Sequence, residues 1–373
     1  MASLGSFSGG GLGMGVTFAL KDGFSKPSRR IRGEMDKLSG STRNTSNKVN
    51  KSLSGIMGGL GGLLAGGAVL AGLNNVIKLT AEFSDRMADV QKTTGLTNKE
   101  LQDYRKTLEG FDTRTSLEDL LDIGKIGGRL GVAKDQLAGF TEAIDKAVVA
   151  LGDDFSGGAE EVATRLGKIK TVFAETRNQK FDVALNNIGS AINELGNAGA
   201  NTAPSVANFT ERIGQLGALA PKVSETLGLG ATLEEIGMRA DIAAGGLTNI
   251  LVVAGREQAA FAKQIGVTTK EFQQMLNTSP NEVIKKLAGS FSKLSSSQAV
   301  KVMTDLKIGS QESMKVVLGL ANNMELLEKR QRLAADAMRE GTSLTGEFNI
   351  KNNTLQASLD KLNKEWQIIT NSS

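Results

Sequence analysis

From residue 80 to 340 the chain repeats one pattern: a helix-capping signal, an apolar stripe at three- and four-residue spacing, then a break. Thr97-Asn98-Lys99-Glu100, Thr115-Ser116-Leu117-Glu118 and Thr268-Thr269-Lys270-Glu271 each fit a capping box. In that motif a hydroxyl and a carboxylate satisfy orphan backbone donors at a helix start. Ser279-Pro280-Asn281-Glu282 fits one too, with proline at the first helical position. The stripes between these starts have helical period. They run Leu137, Phe140, Ile144, Val148, Leu151, then Val162, Leu166, Ile169, Phe173, then Val206, Phe209, Ile213, Leu216, then Ile284, Leu287, Phe291, Leu294. No series of alternating strands accompanies them. The predicted fold class is all-α: a domain of many short helices, roughly nine to twelve of them between residues 80 and 340. The 45 glycines suit frequent helix stops, and an aromatic content of 4 % implies a core of modest side chains.

Ahead of this domain, Ser52 to Ile77 contains no charged side chain, and eight of its positions are glycine. As a helix the stretch would be about 39 Å long, against about 30 Å for a hydrocarbon core. Gly58, Gly62 and Gly66 fall at i, i+4 and i+8, a spacing that leaves bare backbone on one face for close helix packing. Leu60, Leu63, Leu64 and Leu70 supply large apolar groups. The segment is a candidate for membrane insertion or self-packing. The plainer alternative is an apolar glycine linker.

Residues 1–51 are Gly/Ser-rich and basic, with nine Lys/Arg against three Asp/Glu, a local charge of +6 in a chain of net +4. Val16 to Leu20 is a candidate strand, and residues 26–51 a candidate amphipathic helix through Ile31, Met35 and Leu38. Arg29, Arg30 and Arg32 are candidates to contact phosphates of DNA or anionic lipid. The plainer alternative is a solvated basic surface. At the other end, Phe348, Leu355, Leu359, Leu362, Trp366 and Ile369 approximate a heptad seam, with polar Asn352 at one seam position. This reads as the opening of a coiled coil or as one amphipathic helix packed on its own domain. Four regions follow: a basic arm over 1–51, the glycine-rich apolar segment over 52–79, the helical domain over 80–345 and the amphipathic helix over 346–373.

Histidine and cysteine are absent. That excludes Ser-His-Asp and Cys-His catalysis, zinc sites built on those ligands, and disulfides. Gly124-Lys125-Ile126 and Gly167-Lys168-Ile169 lack the rest of a phosphate-binding loop. Gly127, Gly128 and Gly131 follow no strand and are read as helix-terminating. The carboxylate pairs Asp153-Asp154, Glu160-Glu161 and Glu234-Glu235 are adjacent in sequence, so on a helix they diverge by about 100° and do not converge on one site. No catalytic, cofactor or metal site is expected.

Several blocks resemble a known family. AEFSDRMADVQKTTGLTNKELQDY opens the domain, LGVAKDQLAGFTEAIDKAVVALG follows, then ALNNIGSAINELGNAGANTAPSVANFTERI from Ala184, then LEEIGMRADIAAGGLTNIL and TSPNEVIKKLAGSFSKL. In this order they resemble the tail tape measure proteins of long-tailed bacteriophages, TP901 type. The resemblance implies a structural, non-enzymatic virion protein that lines the tail tube, sets its length and leaves ahead of the DNA at ejection. It implies tail tube and tail assembly proteins as partners, self-association, and contact with the host inner membrane and DNA. It places the chain in the tail lumen after assembly in the bacterial cytoplasm. Members of the family usually continue with long heptad-patterned helix, so this chain is expected to be an N-terminal part or a short prophage copy. The rival readings are a membrane-inserting, toxin-like helical protein and a helical peptidoglycan-cleaving enzyme with one acidic catalyst.

Overall fold

A computed structural model describes residues 67–371, with side chains described for 81–369. The candidate strand at Val16–Leu20, the helix over 26–51, Arg29, Arg30, Arg32, Gly58, Leu60, Gly62, Leu63, Leu64 and Gly66 lie outside the described residues, and Leu70 lies in a helix where only backbone is described.

Among the described residues the chain is all α, with eighteen α-helices, three 3-10 turns and no strand. In chain order the helices are α1 (Gly67–Thr94), α2 (Asn98–Glu109), α3 (Leu117–Arg129), α4 (Leu137–Leu151), α5 (Gly158–Val172) and α6 (Ala174–Arg177). Then come α7 (Phe181–Ala198), α8 (Ala203–Gly214), α9 (Val223–Glu235), α10 (Ala240–Arg256), α11 (Gln258–Ile265) and α12 (Thr269–Thr278). The last six are α13 (Pro280–Phe291), α14 (Ser296–Asp305), α15 (Gln311–Asn322), α16 (Met324–Glu340), α17 (Ser343–Lys351) and α18 (Leu355–Asn371). Fifteen of them start between residues 80 and 340, more than the roughly nine to twelve expected. Three of the boundaries are breaks made by one non-glycine residue: Phe173, Glu257 and Asn323 each leave helical geometry between two helices. At Asn323 the side-chain amide bonds back to Gly319 O at 2.8 Å, a local alternative to the helical ladder.

The expected helix starts are largely in place. Thr97 and Thr268 form complete capping boxes with Glu100 and Glu271. Pro280 opens α13, although Ser279 makes no side-chain cap there. The box expected at Thr115 is shifted by one: Ser116 caps α3 by accepting from Asp119 N, and Thr115 turns into the core. A further box, Ser295 with Gln298, opens α14.

The glycines of α3 also correct the sequence reading. Gly131 does terminate the helix, at φ +74°. Its N–H donates to Gly128 O and that of Val132 to Gly127 O, the two bonds of a Schellman end. Gly124, Gly127 and Gly128, however, lie inside α3 and mark close crossings. A Cβ on them would fall 2.3 Å from the Tyr104 hydroxyl, 2.8 Å from Leu137 and 2.7 Å from the Thr93 backbone, respectively.

Residues 73–372 form one compact unit containing two hydrophobic clusters. The first gathers apolar residues of α1 to α9 and includes Phe140, Leu166, Leu185 and Val206. The second is built mainly on α10 to α15 and includes Leu251, Phe261, Phe272 and Leu287. Three helices contribute to both. α8 gives Val206 to the first and Phe209 to the second, α9 gives Leu227 and Leu229, and α16 gives Ala334 and Leu327.

Adjacent glycines in α10 test this packing. A Cβ at Gly246 would sit 2.7 Å from the Glu312 backbone of α15, whereas at Gly245 it would meet nothing within 4 Å. Gly246→Ala is expected to destabilise by about 1–3 kcal/mol through overpacking. Gly245→Ala is expected to stabilise by about 1 kcal/mol through helix propensity. Urea midpoints of the two variants read this directly; equal shifts would rule out the close crossing.

Candidate functional site

The C-terminal residues singled out in the sequence lie on one helix, and its mode of attachment defines the site. The expected seam does not run back to Phe348. α17 ends at Lys351, and Phe348 is buried in its own helix's contact with the domain. Asn352, the polar residue in the seam, is buried and occupied elsewhere. Its amide donates to Asp112 O at 2.8 Å, and its carbonyl accepts from Arg114 N at 2.9 Å. Asn352 thus clamps the loop between α2 and α3 and ends α17. Thr354 then starts α18 by accepting from Ala357 N at 3.1 Å.

α18 docks on that same loop through polar groups, with Ala357 buried and Ile368 packed against the first hydrophobic cluster. Arg114 pairs with Asp360 at 2.7 Å and Lys361 with Asp112 at 2.7 Å. Lys364 is buried and donates to Phe111 O at 2.7 Å and Leu108 O at 3.3 Å. It sits at the C-terminus of α2, where a cation meets the negative end of the helix dipole. Beneath it lies Asp145 of α4, buried, accepting from Thr113 Oγ1 at 2.9 Å. Burial pushes the Asp145 carboxyl up to about 6, against the opposing pull of the Thr115 and Thr113 hydrogen bonds and of the Lys364 charge. Burial likewise pushes the Lys364 ammonium down, opposed mainly by Asp145. For both groups, desolvation outweighs their mutual attraction.

The outward face of α18 is apolar. Leu355, Leu359, Leu362 and Trp366 are 67 %, 49 %, 43 % and 55 % exposed, and Ile369 is half-buried. Five of the eight exposed large hydrophobics among the described residues are Ile350, Leu355, Leu359, Leu362 and Trp366. The structure places Leu355, Leu359 and Leu362 on one exposed face of α18. Sequence reasoning placed Asn352 in the seam without its clamp on the loop at 112–114, and missed Lys364 and Asp145. The one available signal was that Ala357 and Lys364 lie seven residues apart, opposite the leucines.

The carboxylate pairs do not converge. Asp153 lies 3.3 Å from Lys351, Glu160 3.8 Å from Arg129, and Glu161 2.7 Å from Arg165. Glu234 accepts from Thr202, and Glu235 pairs with Arg330. Among the described residues no group of three or more acidic residues could hold a metal ion.

The Asp145 assignment has a pH signature. A carboxyl raised from its unfolded value near 4 to about 6 binds more protons folded than unfolded in that window. Its contribution to stability is full below about 4 and is lost as pH rises through about 6. Asp145→Asn keeps the acceptor without the charge. The variant should melt a few degrees above wild type at pH 7.5, a gain of at most about 3 kcal/mol. The gap should close on approaching pH 4. A variant that melts below wild type throughout would mean that the ionised Asp145–Lys364 pair holds the dock.

No curated protein and no solved structure matches the chain. A family model described as phage-related minor tail protein matches residues 98–307, from the first residue of α2 to just past α14. That span is more than half of the 373 residues and takes in most of both hydrophobic clusters. The all-α domain beneath the docked helix is thus that of a phage tail component, and the chain belongs to the phage-related minor tail protein family.

Proposed function

We propose that the chain is a tape measure protein, or the N-terminal part of one, acting without catalysis in tail tube assembly, length determination and DNA ejection. The observation that carries this reading is the minor tail protein match across the helical domain. On one side of that domain lies an uncharged glycine-rich stretch, on the other an outward heptad face. Tail tube proteins are the expected partners, and the tail lumen the expected location. A ruler made of helix spans about 1.5 Å per residue. An in-frame insertion of about seventy residues of heptad-patterned helix after Ile369 is therefore expected to lengthen assembled tails by about 105 Å in electron micrographs. Tails of unchanged length would remove the ruler role. Release of muropeptides from peptidoglycan by the purified chain, abolished by one Glu→Gln change, would replace the structural reading with an enzymatic one.

The second reading concerns residues 52–77, flanked by Lys48, Lys51 and Lys78. Among the described residues no helix is long and apolar enough to cross a membrane, and residues 52–66 lie outside them. The uncharged length and the Gly58, Gly62, Gly66 spacing support a segment that enters host membrane during ejection and packs on its own glycine face. In the full chain, Gly58→Leu/Gly62→Leu/Gly66→Leu should prevent cross-linked oligomers in liposomes while leaving co-sedimentation intact or stronger. A wild-type chain that stays in the supernatant at every lipid composition would make the stretch an assembly linker.

A further inference from the structure

α2 is held from two sides. On one side lies α1, whose Phe83, Met87 and Val90 are buried in the same hydrophobic cluster as Leu101, Tyr104 and Leu108 of α2. α1 also holds both ends of α2. Gln91 donates to Leu96 O at 3.1 Å and to Asn98 Oδ1 at 2.7 Å, where α2 begins. Near the last turn the Arg105 guanidinium lies over the Phe83 ring, 5.0 Å from its centroid, and reaches Glu109 at 2.7 Å. On the other side Tyr104 meets Thr141 of α4 at 2.6 Å, and Glu100 meets Lys134 at 3.0 Å. The second of these is an exposed pair and holds weakly. α18 hangs from the far end of α2, through Lys364 on Leu108 O and Phe111 O. Asn352 of α17 pins the following loop at Asp112 and Arg114. The acceptors free to shift are therefore the two upstream of that clamp, Leu108 O and Phe111 O.

We propose that α2 is a relay between α1 and α18: displacing α1 undocks α18, and undocking α18 loosens α1. α1 is one unbroken helix from Gly67 to Thr94, so a pull on the chain ahead of it reaches Phe83 and Gln91 directly. When those contacts part, α2 loses the tie at Asn98 and the ring beneath Arg105, and its last turn shifts. Lys364 makes the response all-or-none. A buried ammonium is stable with its acceptors in place and strongly unfavourable without them, so it moves to water rather than stretch its bonds. The rest of α18 does little to oppose this. Ala357 and Lys364 are its buried residues among those described, and Ile368 is partly buried against the first cluster. Leu355, Leu359 and Leu362 already face solvent. α17 stays behind, because Leu344 and Phe348 are buried and Asn352 keeps its clamp. The inference rests on the geometry of α1, α2 and α18, and not on the ruler role or on what draws the chain ahead of Gly67.

Hydrogen exchange of the full chain, read by mass spectrometry without tube or membrane, tests the relay. Phe83→Ala should speed exchange over residues 355–369 about tenfold, within the range of about 5–150-fold typical of coupled sites. Lys364→Met removes the ammonium and keeps a long side chain. It should speed exchange over 81–94 by a similar factor, since coupling is reciprocal. Residues 243–254 of α10, in the second cluster, should be unchanged in both variants. Arg105→Gln leaves the buried apolar residues in place and should move 355–369 in the same direction, even if Phe83→Ala fails to fold. Unchanged exchange over 355–369 in Phe83→Ala and Arg105→Gln would overturn the proposal. An equal rise in all three segments would overturn it too, in favour of global unfolding. So would a Lys364→Met effect confined to 355–369, which would mean that α18 leaves without disturbing α1. Unchanged tail length after helix insertion would leave a positive relay standing, and a failed relay would leave the tail role standing.

Discussion

One guanidinium holds the wall between the two hydrophobic clusters. Arg330 of α16 is buried and grips Glu235 at the end of α9 with two nitrogens, at 2.6 and 2.8 Å. It also donates to Ala198 O, at the C-terminus of α7, at 2.7 Å. Asn201 closes the arrangement by donating to both Leu195 O and Glu235. The next residue, Gln331, exchanges two hydrogen bonds with Asn281 at the start of α13 and donates to Glu225 O of α9. A buried ion pair is a poor net stabiliser, because desolvation consumes most of the Coulomb gain, but breaking it strands a charge at a cost of about 3–5 kcal/mol. Its effect here is on register. A one-residue slip of α16 would leave Glu235 without Arg330 and Asn281 without Gln331.

Close approach makes that register reachable. Gly228 of α9 faces the Gln331 backbone, where a Cβ would fall 2.6 Å from Cα. The same device recurs one helix further on. Gly189 of α7 receives Leu344 of α17 at 2.7 Å from a notional Cβ, while Leu344 N donates to Ser190 Oγ at 3.1 Å. α7 thus fixes α17, and α17 fixes Asn352, whose bonds to Asp112 and Arg114 set where α18 begins. The outward orientation of the leucines is the last link in this sequence of polar registers laid over small-residue crossings.

The layout of α elements was legible because period and caps are local properties. Thr97 and Thr268 mark helix starts through chemistry that a glutamate three residues on completes, and Pro280 does so through its own ring. What failed needed a partner distant in sequence. Thr115 and Ser116 are equally good caps on paper, and the choice was made by Asp145, which draws Thr113 and Thr115 inward. Gly127 and Gly128 look like helix stops until Phe140 and Thr93 are placed against them. Asn352 fits a heptad seam by spacing alone, and only the loop at 112–114 turns it into a clamp. The spacing from Leu355 onward marks a face of one helix, but period cannot say whether a face points in or out.

The reversed polarity of α18 has a thermodynamic consequence for assembly. A helix docked by its apolar face must first expose that face to pair with anything else, losing roughly 1.5–3 kcal/mol for each large side chain uncovered. α18 is held instead by groups whose bonds to Asp112, Arg114, Leu108 and Phe111 leave its leucines untouched. The net worth of such polar contacts is modest, about 0.5–1.5 kcal/mol for a typical hydrogen bond. They are directional, however, and fix the rotation of the helix about its own axis. A face held at fixed rotation loses less conformational freedom when a partner arrives than a free helix would. The domain therefore presents an apolar edge at fixed rotation, held by groups on the opposite side of the helix.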